Sequence, residues 1–347
     1  MTTPFSICIE PFKNLSTEVR NGKPTVSPCC TYPLTVVDTV DFVNDPTLNS
    51  IRQQWLNGVV PDGCSKCYKQ IGGLSRKDTA TTSWQIDHQT ANQDLTKVEL
   101  VKLDYWIGDI CNLACITCGP INSSQWKQDL SFLSTERKHE ILPNWQDKAT
   151  INQSWKNLDF SKLELIHFWG GEPLLSKEHV EMLKAIPTPG NVKLYYSTNG
   201  TVPPTQELID LWARFKYVDV YFSLDDIEER FEYIRYPANW QSTIDNCKWM
   251  ISQCGPNVEF GIASTINVLN HPYVDSMTEW FSLNLSASKY NKIKHFKYQA
   301  ISTPVTVGFP VDAAIEFLDN LDQRRNTNWR KTFPLAADQL TKLNSAK

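Results

Sequence analysis

No run of apolar residues in this sequence is long enough to span a membrane, and the start, residues 1–5, lacks the charged and apolar regions of a secretory signal. We therefore expect a cytoplasmic protein with no membrane partner. A charge excess is also missing, because 34 Lys and Arg residues stand against 38 Asp and Glu residues. That balance disfavours a broad phosphate-binding face and, with it, a nucleic-acid partner. The sequence also shows no repeat or low-complexity segment. Its 347 residues, 41% of them hydrophobic, can bury one large core and a smaller one.

Cysteine, by contrast, is plentiful and grouped. Three of the ten cysteines, Cys111, Cys115 and Cys118, form a CxxxCxxC run that supplies three thiolates and no fourth ligand. Thiolates suit zinc and iron-sulfur clusters, but structural zinc sites close with four protein ligands. The run therefore favours an iron-sulfur cluster with one open iron. The alternative is a set of buried structural thiols that pack as small hydrophobic side chains.

The three cysteines follow a strand-like stretch, residues 99–106, that Gly108 and Asp109 interrupt. This arrangement resembles the radical S-adenosylmethionine (radical SAM) superfamily, whose CxxxCxxC signature lies after the first strand of a partial (β/α) barrel. The resemblance implies that the thiolates bind a 4Fe-4S cluster whose open iron is chelated by the amino and carboxylate groups of S-adenosylmethionine. Thr117 replaces a residue that is often aromatic in the family, which affects packing against adenine rather than ligation.

A second motif follows the next buried strand, residues 163–169, which runs into Gly170, Gly171, Glu172 and Pro173. Two glycines let the backbone approach a ligand closely, and their carbonyl groups, with Glu172, offer acceptors to an ammonium group. The motif resembles the GGEP motif of radical SAM enzymes. A turn without a ligand is the plain alternative for these four residues taken alone.

Polar residues also end the later strands of the series. Because the carboxyl ends of parallel barrel strands face the active site, we expect these side chains to lie near one another. The resemblance assigns the residues after the third and fourth strands to the carboxylate and ribose of S-adenosylmethionine; they are Ser197, Thr198, Asn199, Ser223 and Asp225. Thr265 and Asn267, which follow the fifth strand, are further candidate cofactor residues. Asp226 stands where the family often has a glycine, and the aromatic residues of the following segment, 230–240, are interpreted as core.

The N-terminal cysteines form another group. Cys8, Cys29, Cys64 and Cys67 have a spacing that fits either zinc or a second iron-sulfur cluster. Their pattern is similar to the SPASM and twitch extensions of radical SAM enzymes, although here it precedes the barrel. The similarity implies one auxiliary 4Fe-4S cluster on these four cysteines, with Cys30 as the alternative ligand to Cys29. A zinc ribbon stays open, while Cys247 and Cys254 are interpreted as helix-packing thiols.

Strands that alternate with helix-length segments predict an α/β fold. We expect a partial (β/α)6 TIM-like barrel with a small N-terminal cysteine-rich module. The expected domains are a twitch-like module over residues 1–75, a linker or lid over 76–98, the barrel over 99–305 and a helical extension over 306–347.

The family resemblance implies an enzyme that cleaves S-adenosylmethionine reductively to a 5′-deoxyadenosyl radical, which then abstracts a substrate hydrogen atom. It also implies an external electron donor such as flavodoxin or ferredoxin. A peptide or protein substrate is the first expectation, and oxidation of a small molecule is the second. A non-catalytic iron-sulfur or zinc protein is the alternative from another class. The sequence assigns no catalytic acid or base.

Overall fold

The computed structural model describes residues 8–20, 22–65, 96–126, 152–285, 293–299 and 311–345. The strands are β1 (Asn14–Arg20), β2 (Lys23–Ser27), β3 (Thr35–Val36), β4 (Lys102–Trp106), β5 (Leu165–Trp169), β6 (Lys193–Thr198), β7 (Tyr217–Phe222), β8 (Val258–Thr265) and β9 (Ile293–Gln299). They form one sheet in the order β3-β2-β1-β4-β5-β6-β7-β8-β9.

Helices follow most of the strands. They are α1 (Glu10–Lys13), α2 (Pro46–Leu56), α3 (Lys177–Ala185), α4 (Gln206–Trp212), α5 (Glu228–Ile234), α6 (Trp240–Gln253), α7 (Val274–Asn284), α8 (Val311–Arg325), α9 (Trp329–Thr332) and α10 (Pro334–Ser345). Local capping explains where some begin: the Thr205 hydroxyl accepts a hydrogen bond from the amide of Leu208 at the start of α4, and Asn239 does the same for Ser242 in α6.

Strands β4 to β9 all pair in parallel, each with its neighbour along the chain. Helices α3 to α7 lie in the connections between β5 and β9. The predicted α/β fold, with six parallel strands in sequence order, is therefore confirmed.

The two faces of this sheet differ in polarity. One row of residues in register is apolar and buried against the helices: Leu103, Ile166, Leu194, Val218 and Val258. The next row in register is polar: Ser16, Asp104, His167, Tyr195, Asp219 and Glu259. Because successive side chains alternate across a strand, the polar row lies on the opposite face, which we call the inner face. A parallel sheet buried purely for stability has apolar residues on both faces, so the polar inner face points to a function.

The N-terminal strands extend this sheet. Strand β1 pairs in parallel with β4, with Asn14 opposite Lys102, and a turn at Gly22 leads into the antiparallel strand β2. Leu15 and Val26 belong to the same buried cluster as the later strands. A separate N-terminal module is therefore not confirmed, and the proposed domain boundaries stay a prediction. Most of the expected linker lies outside the described residues.

The C-terminal helices form a second buried cluster with the loop after β4. Leu318 of α8, Trp329 of α9 and Leu340 of α10 pack with Ala114 and Ile116 of that loop. The helices therefore support the segment that carries the three cysteines. Among the residues that the structure describes, no helix is long and apolar enough to cross a membrane.

Candidate active site

Cys111, Cys115 and Cys118 lie on the loop after β4 and line one cavity of about 720 Å³. Cavities of this size hold small molecules and cofactors. Burial raises the pKa of the Cys111 thiol to about 11, and it raises the pKa of the Cys115 thiol as well. Thiols in such surroundings become thiolates when a metal centre takes the place of the proton. The donor set therefore fits a metal cluster.

Hydrogen bonds to its backbone hold the cysteine loop in place. The amide of Ala114 donates to the carbonyl of Tyr236 at 2.7 Å, and the amide of Ile116 donates to Ile234 at 2.9 Å. The indole of Trp126 donates to the carbonyl of Cys115 at 3.1 Å. These bonds fix the backbone on both sides of Cys115, so the positions of the thiols do not depend on a bound group alone.

Gly170 and Gly171 bring the end of β5 against the same loop. The amide of Gly171 donates to the carbonyl of Gly108 at 2.8 Å, and a Cβ at Gly171 would overlap the carbonyl group of Ile110. Gly170 has a φ of 119°, in a region that favours glycine. The sequence predicted close approach to a ligand. Both glycines do line the cavity, but the backbone that they approach is the cysteine loop.

Glu172 connects the ends of β5 and β6. Its carboxylate accepts hydrogen bonds from the Thr198 hydroxyl at 2.7 Å, the Asn199 amide at 2.7 Å and the Leu174 amide at 3.1 Å. Burial raises the pKa of Glu172, and these donors oppose that shift because they favour the charged form. The side chain therefore orders the strand ends as well as lining the cavity.

The structure brings most of the predicted cofactor residues to one cavity. Those that line it with the three cysteines are Gly170, Gly171, Glu172, Ser197, Asn199, Ser223 and Thr265. Four others, Pro173, Thr198, Asp225 and Asn267, are buried and do not line this cavity. Thr198 binds Glu172, and Asp225 accepts a hydrogen bond from the amide of Thr265 at 2.8 Å. Thr198 and Asp225 therefore support residues that line the cavity.

Arg235 is a cavity residue that the sequence did not single out. Its guanidinium forms an ion pair with Asp225 at 2.9 Å and lies 3.8 Å from the sulfur of Cys115. Burial alone would lower the pKa of Arg235, but the charge of Asp225 raises it, so the side chain stays cationic. Arg235 lies in the segment 230–240, whose aromatic residues predict core packing. Its position 12 residues after Ser223 gives no local signal of a contact with the cysteine loop.

Asn199 provides another donor to the thiols. Its side-chain amide nitrogen lies 3.9 Å from the sulfur of Cys111 and 2.9 Å from the side-chain oxygen of Asn112. Hydrogen bonds to cluster sulfurs are one way in which proteins tune reduction potentials. Asn199 and Arg235 are placed to do this for two different cysteines.

Two N-terminal cysteines line the same cavity, Cys29 and Cys30. Cys29 is buried and Cys30 is exposed. Burial is the main cause that raises the pKa of Cys8, and the neighbouring thiols Cys29 and Cys64 raise it further. Cys8, Cys29 and Cys64 therefore lie near one another, whereas Cys67 lies outside the described residues.

Across the described ranges, no three Cys, His, Asp or Glu side chains gather closely enough to hold a single metal ion. A 4Fe-4S cluster makes a different demand, because each cysteine binds its own iron. The loop cysteines face one shared cavity, which suits a cluster. The two remaining thiols, Cys247 and Cys254, are buried in the main core, as the sequence predicted.

A family model described as the Radical SAM superfamily matches residues 106–274, which include the three cysteines and the cavity-lining residues Gly170–Glu172. The chain contains a radical SAM superfamily domain. Proteins of this superfamily are enzymes, and the family implies a 4Fe-4S cluster and S-adenosylmethionine.

Curated relatives match parts of this chain. A GTP 3′,8-cyclase of Actinobacillus pleuropneumoniae serotype 3 (strain JL03) is 27% identical over 133 residues, which cover 38% of this chain and 35% of the relative. An uncharacterized protein of Methanocaldococcus jannaschii is 25% identical over 174 residues, which cover 49% of this chain and 54% of the relative. The chain thus spans between about a third and about half of the length of these relatives.

Two solved structures are also similar. SuiB of Streptococcus suis bound to its precursor peptide SuiA has a TM-score of 0.42 and 12% identity, covering 93% of this chain and 71% of SuiB. The protein anSMEcpe with bound AdoMet has a TM-score of 0.40 and 16% identity, covering 66% of this chain and 63% of anSMEcpe.

Proposed function

We propose that this protein is a radical SAM enzyme that abstracts a hydrogen atom from a peptide or protein substrate. The observation that carries the proposal is the meeting of three thiols, the Gly170–Gly171 backbone and the Arg235 cation in one cavity. A metal site alone needs only the thiols. The added cation and polar strand ends are what an amino-acid cofactor requires, because its carboxylate and amino groups both need partners.

The cavity wall offers a partner for each part of S-adenosylmethionine. Cys111, Cys115 and Cys118 would hold the 4Fe-4S cluster, and Arg235 would pair with the carboxylate. The Gly170 and Gly171 carbonyl groups and the Glu172 carboxylate would accept hydrogen bonds from the amino group. The polar strand ends would position the ribose; these residues are Ser197, Asn199, Ser223 and Thr265. When bound, the cluster and S-adenosylmethionine supply the radical chemistry, and the protein supplies orientation and exclusion of water.

The N-terminal thiols support a second cluster. Cys8, Cys29 and Cys64 lie near one another, and Cys67 is three residues beyond Cys64 in the sequence. Cys29 belongs to this group and lines the cavity of the radical SAM domain. We infer a second iron-sulfur cluster on these four cysteines, with a path for one electron between it and the substrate. Flavodoxin or ferredoxin, cytoplasmic carriers, would reduce the enzyme.

The peptide substrate is supported by the similarity of the N-terminal cysteine pattern to SPASM and twitch extensions, whose enzymes include peptide modifiers. A cavity wall made partly by the Tyr32–Leu34 segment leaves room for substrate beside the thiols. A small molecule is the second candidate. The same cavity volume would admit one together with the cofactor.

The test is hydrogen transfer into S-adenosylmethionine products. Reconstituted enzyme would be incubated with reductant, S-adenosylmethionine and a panel of deuterium-labelled peptides, and 5′-deoxyadenosine would be analysed for deuterium by mass spectrometry. We expect deuterium in 5′-deoxyadenosine with at least one peptide. Formation of unlabelled 5′-deoxyadenosine across the panel would contradict the peptide substrate, and absence of 5′-deoxyadenosine would contradict the radical SAM activity itself.

A further inference from the structure

Asp104 and His167 form a pair on the inner face of the sheet. The two residues lie opposite each other on β4 and β5, and Nδ1 of the imidazole is 3.3 Å from Oδ1 of the carboxylate. The pairing follows from the parallel register, which brings residues at the same level of neighbouring strands onto one face. A carboxylate at Nδ1 fixes the orientation of the ring and directs its basic lone pair to Nε2.

The carboxylate of this pair is held in its charged form. Burial alone would raise the pKa of Asp104, but the charge of Lys102 and the hydrogen bond with His167 outweigh burial and lower it to about 2. Nζ of Lys102 lies 3.2 Å from Oδ2 of Asp104, and the side-chain amide of Asn14 lies 3.5 Å from the same oxygen. Asp104 is therefore a fixed negative charge behind the imidazole, so it stabilises the ring when the ring accepts a proton.

The imidazole itself belongs to the cavity. His167 lines the same space as the three loop cysteines, and its side chain is 14% exposed there, whereas the Asp104 side chain is 2% exposed. The ring of Tyr195 packs edge-on against the imidazole with centroids 4.8 Å apart. A carboxylate that is buried and an imidazole that reaches a ligand cavity form the arrangement of an acid–base dyad.

His179 shows what a histidine without this role looks like in the same protein. It is 1% exposed and hydrogen-bonds the carbonyl of Ser176 at 2.6 Å, and its ring packs on Phe168 and Tyr196. It is absent from the cavity wall formed by the described residues. Burial lowers its pKa to about 4, as expected for a histidine that stays neutral.

We propose that His167 is the catalytic base of this enzyme, that Asp104 positions it, and that the substrate carries an O–H or N–H group on the carbon that loses hydrogen. The proposal rests on the proposed function, since it places the base beside the site of hydrogen abstraction. Loss of a hydrogen atom from a carbon makes an attached O–H or N–H group more acidic. In the proton-transfer step that O–H or N–H bond breaks, its electron pair stays on the substrate, and the proton binds Nε2 of His167.

The dyad can be tested without a known substrate by acylation with diethyl pyrocarbonate, which attacks an unprotonated imidazole nitrogen. Holoenzyme at neutral pH would be labelled, digested and analysed by peptide mass spectrometry. We expect His167 to be acylated at least about tenfold faster than His179. In the Asp104→Asn variant we expect acylation of His167 to slow by at least about tenfold, because the carboxylate no longer holds the tautomer. Equal rates for the two histidines, or no change in the variant, would overturn the dyad.

The catalytic role is tested by the ratio of 5′-deoxyadenosine to product, using a peptide that transfers deuterium. In His167→Gln we expect product formation to fall about 100-fold and the ratio to rise by at least about tenfold, because hydrogen abstraction precedes the missing proton transfer. The matched control His179→Gln should keep the wild-type ratio. A ratio that stays unchanged in His167→Gln would overturn the role. If wild-type enzyme forms no 5′-deoxyadenosine, the proposed function fails, whereas the labelling result still decides the dyad.

Discussion

Arg235 and Asp225 form a buried ion pair, with a nitrogen of the guanidinium 2.9 Å from a carboxylate oxygen, in the wall beside the loop cysteines. The guanidinium also lies 3.8 Å from the sulfur of Cys115. The ion pair therefore fixes a positive charge beside one of the three thiols that the cluster would use.

Replacing that charge should change the reduction potential of the cluster. In Arg235→Met we expect a potential more negative by roughly 100 mV, because a nearby cation favours the reduced cluster, which carries one more negative charge. Arg235→Lys should recover part of the shift. The measurement is a redox titration followed by electron paramagnetic resonance. A potential equal to that of wild type in Arg235→Met would show that the guanidinium does not act on the cluster.

Removing the carboxylate of Glu172 should destabilise the protein. In Glu172→Ala three donors lose a buried acceptor, and we expect the free energy of unfolding to fall by about 3 kcal/mol. Glu181 is a suitable control, since its ion pair with Lys184 is exposed, and Glu181→Ala should change stability by less than about 0.5 kcal/mol. Chemical denaturation checks both. Equal effects from the two substitutions would contradict the linking role of Glu172.

The two adjacent N-terminal cysteines should behave differently. Cys29 is buried near Cys8, whereas Cys30 is exposed. We therefore expect Cys29→Ser to lose about four irons per chain and Cys30→Ser to keep the iron content of wild type. Iron and acid-labile sulfide analysis distinguishes the two. Loss of iron in Cys30→Ser alone would reverse the assignment.

Asp226 should weaken the fold at neutral pH. Burial raises its pKa from 3.8 to about 6, although the charge of Arg230 opposes the shift. The folded state therefore binds this proton more tightly than the unfolded state, and stability falls as the pH rises from about 4 to about 6. We expect Asp226→Asn to be more stable than wild type by about 2 kcal/mol at pH 7 and equal to it near pH 4.

The control for this pH dependence is Asp210→Asn, because Asp210 is exposed on α4. Its stability should follow that of wild type at each pH. Denaturation at pH 4 and pH 7 gives both comparisons. An Asp226→Asn variant with no gain at pH 7 would contradict the raised pKa.

The parallel sheet and much of the site could be predicted because their signals are local. Strand-like runs ending at Trp169 and Phe222, and the CxxxCxxC spacing, depend on residues that are neighbours in the sequence. The pairing of β1 with β4 was not predicted, because it joins residues 14–17 to residues 102–105 and no short-range pattern reports it.

Arg235 and the Asp104–His167 pair could not be predicted, because their contacts join residues that are far apart in the sequence. Arg235 reaches Cys115 only because the backbone after α5 lies against the cysteine loop. His167 reads as one polar residue within an apolar strand, and its relationship to Asp104 depends on the register of β4 and β5. A polar residue in a buried strand is a signal that such a position faces a cavity, but the sequence does not say which partner it meets.

The most direct test of the central claim is iron and sulfide content after anaerobic reconstitution, with 5′-deoxyadenosine formation measured on the same samples. Wild type is compared with a variant in which Cys111, Cys115 and Cys118 are all alanine. We expect about eight irons per chain to fall to about four, and 5′-deoxyadenosine formation to be lost. A variant that keeps the iron content of wild type and still forms 5′-deoxyadenosine would contradict the account.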